Sequence, residues 1–362
     1  MKSKQVKERL PILSGSIIII SALFMMLAMN SCSPKESGSD FGGVQIGAIT
    51  YSWRSMPGGI ENIIKYCKET GITSIELMSG DLEAYLGAPE SPMTRMFRQP
   101  PPPPPAPEQT PAPPAQQAAE GSGAQPAATP APQPRGRFEM TDEMRAEIEK
   151  YNADIKEWRL SVPMSKFEEV KKMFDDEGIS IHIVKFEPAS WSDEEIDYAF
   201  KAARAMGAKG VSDELREESV RRLAPFAEKH DMYAVFHNHM QFAEEGFTYD
   251  TFVDISPNVM FNFDAGHFFG STGRHPNEII EKYHDRIFSI HLKDKTGPDT
   301  DPANTNQVWG QGQAPIEDVL HLIQENEWPI YCDIELEYQV KPWSDAVKET
   351  RTCVRYARQI LI

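Results

Sequence analysis

The sequence predicts an α/β chain whose eight strand–helix units close into a (β/α)8 barrel. Three observations carry this expectation. Short apolar runs alternate with helical patterns from Val44 to the C-terminus, the runs number eight, and acidic or imidazole side chains stand where the later runs end. Strict alternation implies a parallel sheet with helices outside, and eight units favour closure over an open doubly wound sheet.

The strand-like runs begin near Val44 (VQIGAITYSW), Ile72 (ITSIELM), Ile179 (ISIHIVKF), Ala208 (AKGVSD), Met232 (MYAVFHNH), Val259 (VMFNFDAG), Ile287 (IFSIHLKD) and Ile330 (IYCDIELE). Between them lie amphipathic patterns such as GIENIIKYCKETG, SDEEIDYAFKAARAMG and APIEDVLHLIQENE, and WSDAVKETRTCVRYARQIL follows the last strand. Gly71, Gly178 and Gly207 stand just before the next strand, where a helix is expected to stop. From about Arg98 to Arg135 the plan is interrupted by PPPPPP and further Pro, Ala and Gln. That segment has too little apolar surface to fold and falls after the second strand, on the face where βα connections lie. After it, TDEMRAEIEKYNADIKEWRLSV reads as a helix with Thr141 at its N-cap.

The N-terminus reads as a targeting segment. Lys2, Lys4, Lys7 and Arg9 precede the apolar SIIIISALFMMLAM, and small or polar residues lead to Cys32. This is the order of a bacterial secretory signal, and an apolar stretch so short is marginal for a membrane span. The Met-Asn-Ser-Cys phrase resembles a lipoprotein processing box. That resemblance implies a signal peptide over residues 1–31, an acylated Cys32 as a membrane anchor on the exported side, a polar tether over 32–43, and a barrel over 44–362. A net charge of −17 without a Lys/Arg cluster argues against nucleic acid as a partner. The other cysteines, Cys67, Cys332 and Cys353, lack CxxC spacing and fall in amphipathic or strand patterns, which favours buried thiols over a disulfide.

Asp264 and His267 stand in Asp-x-x-His spacing at the end of the sixth strand, His291 ends the seventh and Glu335 the eighth. A barrel brings strand ends to one mouth, so oxygen and imidazole donors recurring on three consecutive strands point to a divalent-metal site. Alternation puts Glu337 on the same side as Glu335, one pleat on, as the reserve candidate. Mixed N/O donors admit Mn, Co, Zn, Fe or Mg. Arg54, Lys185 and Lys293 follow strand ends and are candidates for holding substrate oxygens. Trp53, Trp191 and Trp309 are candidates for stacking on a bound ring, and the WGQGQ stretch from Trp309 reads as a turn shaping the rim.

Taken with the TYSWR turn, FHNH at His237–His239, FDAGH, HLKD and IELE, the chain resembles the sugar phosphate isomerase/epimerase family of xylose isomerase-like TIM barrels. The resemblance covers nearly everything from Val44 except the proline-rich insertion. It implies a divalent cation held by Glu, Asp, His and Glu on different strands, with Asp264, His291 and Glu335 matching the last three. Where the family shows the first Glu, this chain has His237; either His237 takes over as ligand or Glu214 of VSDELRE supplies the donor. Glu335, His237 and Lys293 are the expected catalytic residues, and Arg54, Lys185, His239, His267 and Trp309 the expected substrate contacts.

The implied activity is isomerisation or epimerisation of a small carbohydrate by removal of a proton α to a carbonyl. The alternatives are β-elimination from a 3-keto-glycoside, for which one base suffices, and a non-catalytic carbohydrate-binding lipoprotein. Two predictions follow from the sequence alone. Mass spectrometry of the membrane fraction should find an acylated N-terminal Cys32, and an intact Met1 terminus in mature protein would refute the anchor. Replacing Gln99–Pro134 by a short flexible linker should leave a cooperative thermal transition, because the segment brings almost no apolar surface to a core.

Overall fold

The computed structural model describes residues 38–92 and 140–362. The anchor expected at Cys32 and the proline-rich segment lie outside the described residues. The described chain falls into two compact units, one built from the residues up to Leu82 together with Pro163–Ile362, the other Glu83–Val162.

The first unit carries eight parallel strands: β1 (Val44–Ile49), β2 (Ser74–Met78), β3 (Ser180–Lys185), β4 (Gly210–Glu214), β5 (Tyr233–His237), β6 (Val259–Asp264), β7 (Ile287–Leu292) and β8 (Tyr331–Ile334). Each pairs in parallel with its neighbour in sequence, and β8 pairs with both β7 and β1, closing the barrel. The eight expected runs are these strands. The helices of the described residues, in chain order, are α1 (Ile60–Thr70), α2 (Ser79–Tyr85), α3 (Asp142–Ser161) of the second unit, α4 (Met164–Asp175), α5 (Asp193–Ala205) and α6 (Glu217–Lys229). They continue with α7 (Asp250–Val253), α8 (Ala265–Thr272), α9 (Asn277–Tyr283), α10 (Ile316–Asn326) and α11 (Ala346–Leu361).

Local chemistry sets the helix ends. Gly71 stops α1 in the left-handed region at φ 84°, where a side chain would be strained, and its N–H bonds Cys67 O at 2.8 Å. Gly178 and Gly207 likewise have positive φ. Ser192 and Glu195 form a capping box at the start of α5. In the second unit, Thr141 caps α3 by accepting from Met144 N, and the Arg159 guanidinium pairs with Glu83 at 2.9 Å.

Two features depart from the sequence reading. The stretch expected as a tether reaches into the barrel unit: Asp40–Phe41 pairs antiparallel with β1, Ser39 and Phe41 are buried, and Ser39 Oγ donates to Ile46 O at 2.6 Å. The connection from β5 to β6 holds only a 3-10 turn and the four-residue α7. Its place in the core is taken by aromatic rings, with Tyr249 stacked on Phe261 at 3.7 Å and Phe242 packed edge-on to Phe268 and Phe263. Each such ring, fully buried, contributes roughly 1.5–3 kcal/mol. Cys67, Cys332 and Cys353 are free and buried, as the sequence led us to expect.

Candidate active site

Parallel closure places the last residues of β4 to β8 around one mouth. Asp264 ends β6 and at once caps α8, its Oδ1 accepting from His267 N at 2.7 Å. That bond leaves Oδ2 for the barrel axis, where it meets His237 Nε2 at 3.3 Å and Lys293 Nζ at 2.7 Å. Asn238, the middle of the FHNH phrase, fixes the backbone here: its Oδ1 accepts from Asp264 N at 3.0 Å and from the Tyr249 hydroxyl at 2.6 Å. Gly266 permits the close approach of α8 to β7, since a Cβ there would stand 2.2 Å from Lys293 Cγ.

His291 lies on β7 with Nδ1 2.8 Å from Glu335 Oε2 and Nε2 2.8 Å from Glu76 Oε2. Glu335 follows β8 directly, held by its N–H to Leu292 O at 3.1 Å. His237, Asp264, His291 and Glu335 are all buried, and one donor atom from each lies within 4.8 Å of the others. This cage holds the two imidazoles and two of the carboxylates read from the sequence as candidate ligands. Lys293, also buried, reaches Glu335 Oε2 and Glu337 Oε2 at 2.8 Å each. Glu337 is on the same side as Glu335 but more open, and its Oε2 is 3.6 Å from His267 Nε2.

A second group adjoins the first through His237. Glu214 ends β4, with Oε2 2.7 Å from His239 Nε2 and 3.5 Å from His237 Nδ1, while its Oε1 accepts from Lys185 Nζ at 2.8 Å. Lys185 is therefore a partner of Glu214. Burial would raise Glu214, but the His237 and His239 imidazoles beside it hold it well below the usual carboxylate range. Arg54 and Trp309 are not brought to the cage. The Arg54 guanidinium bonds Leu336 O at 2.6 Å and covers the Tyr51 ring, tying the end of β1 to the chain after β8. Trp309 is buried edge-on to Tyr356 of α11, and Trp53 donates to Thr350 Oγ1 on the same helix at 3.1 Å. The WGQGQ turn is fastened by Asp294, whose carboxylate accepts from Gly310 N and Gly312 N at 2.8 Å and from Ala314 N at 3.2 Å.

Three interior residues escaped the sequence reading. Glu76 on β2 accepts from Ser212 Oγ at 2.8 Å and from Asn262 Nδ2 at 2.7 Å, and it touches His291. His182 on β3 bridges Asp333 Oδ2 and Ser74 Oγ, each at 2.8 Å. The signal was available: Glu76 in SIELM, His182 in SIHIVK and Asp333 in YCDI are ionisable groups inside otherwise apolar strands, which only a partner can stabilise there.

The charge states follow from burial set against neighbours. Burial would raise the Asp264 and Glu335 carboxyls, but His267 and Lys293 beside the first, and Lys293 and His291 beside the second, hold both far below the usual range. Burial pushes His267 down to about 4, with Lys293 and Lys295 adding to the effect against Asp264. The donor set fits a divalent cation. His291 Nδ1 and Glu335 Oε2 face each other at 2.8 Å in the buried cage, so once the imidazole gives up its proton two lone-pair atoms are aimed at a common point. A cation accepts both.

The profile of the family described as Xylose isomerase-like TIM barrel matches residues 138–357. No curated protein sequence matches the chain significantly. Among solved structures, the chain is similar to a probable 3-DHS dehydratase, AsbF, of Bacillus anthracis. The identity is 12%, the TM-score 0.53, and the match covers 86% of this chain and 98% of that one. It is also similar to a xylose isomerase domain protein of Alicyclobacillus acidocaldarius, at 13% identity and TM-score 0.52 over 87% and 98% of the two chains. At such identities the likeness is one of fold.

Burial works against charge on His291, but Glu335 and Glu76 outweigh it and lift its pKa well above the ordinary value. A raised folded pKa stabilises the metal-free protein fully below the unfolded value of about 6.5, and this contribution is lost as pH rises through the raised value. Near pH 7 the imidazole is therefore charged, and an entering cation must displace its proton. Calorimetric titration of the metal-free protein with Zn2+ should show about one proton released, with affinity rising with pH; heats independent of buffer ionisation enthalpy would contradict the assignment.

Proposed function

The chain belongs to the xylose isomerase-like TIM barrel family, and from that premise we propose that it is a divalent-metal-dependent enzyme that removes a proton α to a carbonyl of a small carbohydrate. The observation that carries the reading is the cage of four buried residues, His237, Asp264, His291 and Glu335, with one donor atom of each within 4.8 Å of the others. His237 takes the fourth position through Nε2, the atom that faces Asp264, while Glu214 stands behind its Nδ1. When bound, the cation supplies Lewis acidity toward a carbonyl oxygen, worth several kcal/mol at a developing enediolate.

The protein's own groups do the rest. Glu335 is held ionised and is the proton acceptor. Lys293 is kept charged: burial alone would lower it, but Asp264, Glu335 and Glu337 raise it well above its ordinary value. Its ammonium donates to substrate oxygen that gains charge as the proton leaves. His267 and His239 line the open side together with Glu337, their rings 5.2 Å apart, and are placed to contact substrate hydroxyls.

Isomerisation or epimerisation is the leading form of this chemistry. β-Elimination from a 3-keto-glycoside is the second, favoured by one observation: an imidazole stands where two-base epimerisation would use another carboxylate. Export by an anchor at Cys32 would accord with glycoside processing better than with a phosphorylated substrate.

Asp264→Ala and His291→Ala should each lower metal content on elemental analysis of protein purified without chelator. Lys293→Met should keep the metal or bind it more tightly, since a like charge leaves the cage, while losing at least tenfold in rate. Glu335→Gln should abolish solvent-deuterium exchange at the carbon α to the carbonyl. Wild-type exchange in Glu335→Gln, with loss in Glu337→Gln, would move the base one pleat along the strand. Release of a free aglycone from a 3-keto-glycoside would select elimination, whereas an epimeric sugar as the sole product would exclude it.

A further inference from the structure

Lys295 is a buried cation that the proton abstraction proposed above does not use. It stands two residues after Lys293, in the short strand Asp294–Lys295 that pairs antiparallel with Asn306–Gln307. Only 3% of the residue is exposed, yet among the described residues it has neither an ion pair nor a side-chain hydrogen bond, whereas Lys293 reaches three carboxylates. Its backbone is pinned, with Lys295 O accepting from Gln313 N at 2.8 Å and the Asp294 carboxylate fastening the WGQGQ turn. The side chain runs along α8, where a Cβ on Gly270 would stand 2.8 Å from Lys295 Cε and 2.3 Å from Asn304 Oδ1. Asn304 Oδ1 and Asn306 Oδ1 are themselves buried without a hydrogen bond, and Asn306 lies directly opposite Lys295 in the hairpin. Side chains so paired share one face.

We infer that Lys295, with the Asn304 and Asn306 amides beside it, is a subsite for a carboxylate of the substrate, so that the sugar this barrel takes is an acidic one. The inference rests on the metal-dependent reading above and adds the class of sugar to it. A buried ammonium without a counterion is costly, and here a second ammonium lies close by. Burial and Lys293 both depress the Lys295 pKa, against the carboxylates of Asp264, Glu337 and Glu335. An ammonium is donor-only, and a carboxylate is acceptor-only, so each supplies what the other lacks. Asn304 Nδ2 has only the weak acceptor Met240 Sδ, at 3.2 Å, and either amide turned over would present its NH2 where an unpaired oxygen now stands. One uncompensated cation matches a monoanion. A phosphoryl dianion would call for a further positive charge, and Lys293 is already spent on Asp264, Glu335 and Glu337. The charge of Lys295 is felt by His267 and by the cage carboxylates, which puts the bound group at the mouth and beside the reacting carbons.

The test uses the full chain loaded with Zn2+ and titrated calorimetrically with D-glucuronate and D-galacturonate, each against its neutral counterpart, D-glucose or D-galactose. At least one uronate should bind roughly 10–100-fold more tightly than the neutral sugar, the worth of one charge-assisted hydrogen bond. Lys295→Met should bring that uronate down to the affinity of the neutral sugar. Asn304→Asp keeps the side-chain shape and gives Lys295 an internal counterion, so it should lower the preference too and keeps the inference testable if Lys295→Met does not fold. With lysine labelled with 13C at Cε, the uronate should raise the Lys295 pKa, a response that a purely structural lysine would not give. Equal affinities in both sugar pairs, a preference that survives Lys295→Met, or tighter binding of D-glucose 6-phosphate than of D-glucuronate would overturn the inference; Zn2+ retained in that preparation would leave the metal-dependent reading standing. A chain that fails to hold Zn2+ would overturn that reading instead, while a preference lost in Lys295→Met would still support the carboxylate subsite.

Discussion

Everything at the mouth of this barrel answers to one requirement, that the charge buried there be balanced. Asp264, Glu335 and Glu76 are carboxylates with almost no access to water, and each ion so placed costs several kcal/mol in lost hydration. Two like charges about 4 Å apart add roughly 4 kcal/mol at an effective dielectric near 20. Lys293 and His291 supply positive charge among them, at 2.7–2.8 Å from the oxygens. Lys293 touches the oxygens of Asp264 and Glu335 that face the cage, and in the metal-free protein it keeps both carboxylates ionised. The same requirement suits the site to a divalent cation, because the three carboxylates exceed the two charges that Lys293 and His291 supply.

A tier of polar residues beneath the cage transmits this requirement into the barrel. Glu76 meets His291, Asn262 meets Glu76, and His182 meets Asp333, which stands in register with His291. His182 can turn to the axis because it is the extra residue at the β2–β3 irregularity, and its ring stacks on Tyr331 at 4.2 Å. Below that tier, Ile183, Val235 and Phe288 form the apolar floor. The barrel interior is therefore graded from hydrocarbon through hydrogen-bonded polar groups to the charged mouth. Removing one partner within the polar tier would leave its mate buried and unpaired, which costs more than the pair contributes.

On the proposed reading, His237 in the place of a carboxylate leaves the cage with fewer negative charges. Its ring links the cage to Glu214 and His239 on the open side. Glu214, His239, His267 and Glu337 stand along that side, with Glu214 Oε2 2.7 Å from His239 Nε2 and His267 Nε2 3.6 Å from Glu337 Oε2. On the function proposed above, specificity would belong to this outer group and proton abstraction to the inner one.

The order and number of strands were legible in the sequence, because a parallel barrel buries both faces of each strand and writes an apolar run for every one. The cage residues were legible for a related reason: Asp264, His291 and Glu335 stand at the ends of such runs, where closure must bring them together. His267 followed from its spacing to Asp264, since a helix that starts at once puts the third residue on the same rim. What the sequence could not assign was partnership. Whether His237 or Glu214 served the cage, that Trp309 and Arg54 were spent on packing and on a backbone carbonyl, and that Glu76 stood behind His291 were decided by contacts between residues up to 282 positions apart. Periodicity reports which face of an element is buried. It does not report what stands opposite, because that depends on strand register and on two bulges that only the closed barrel fixes.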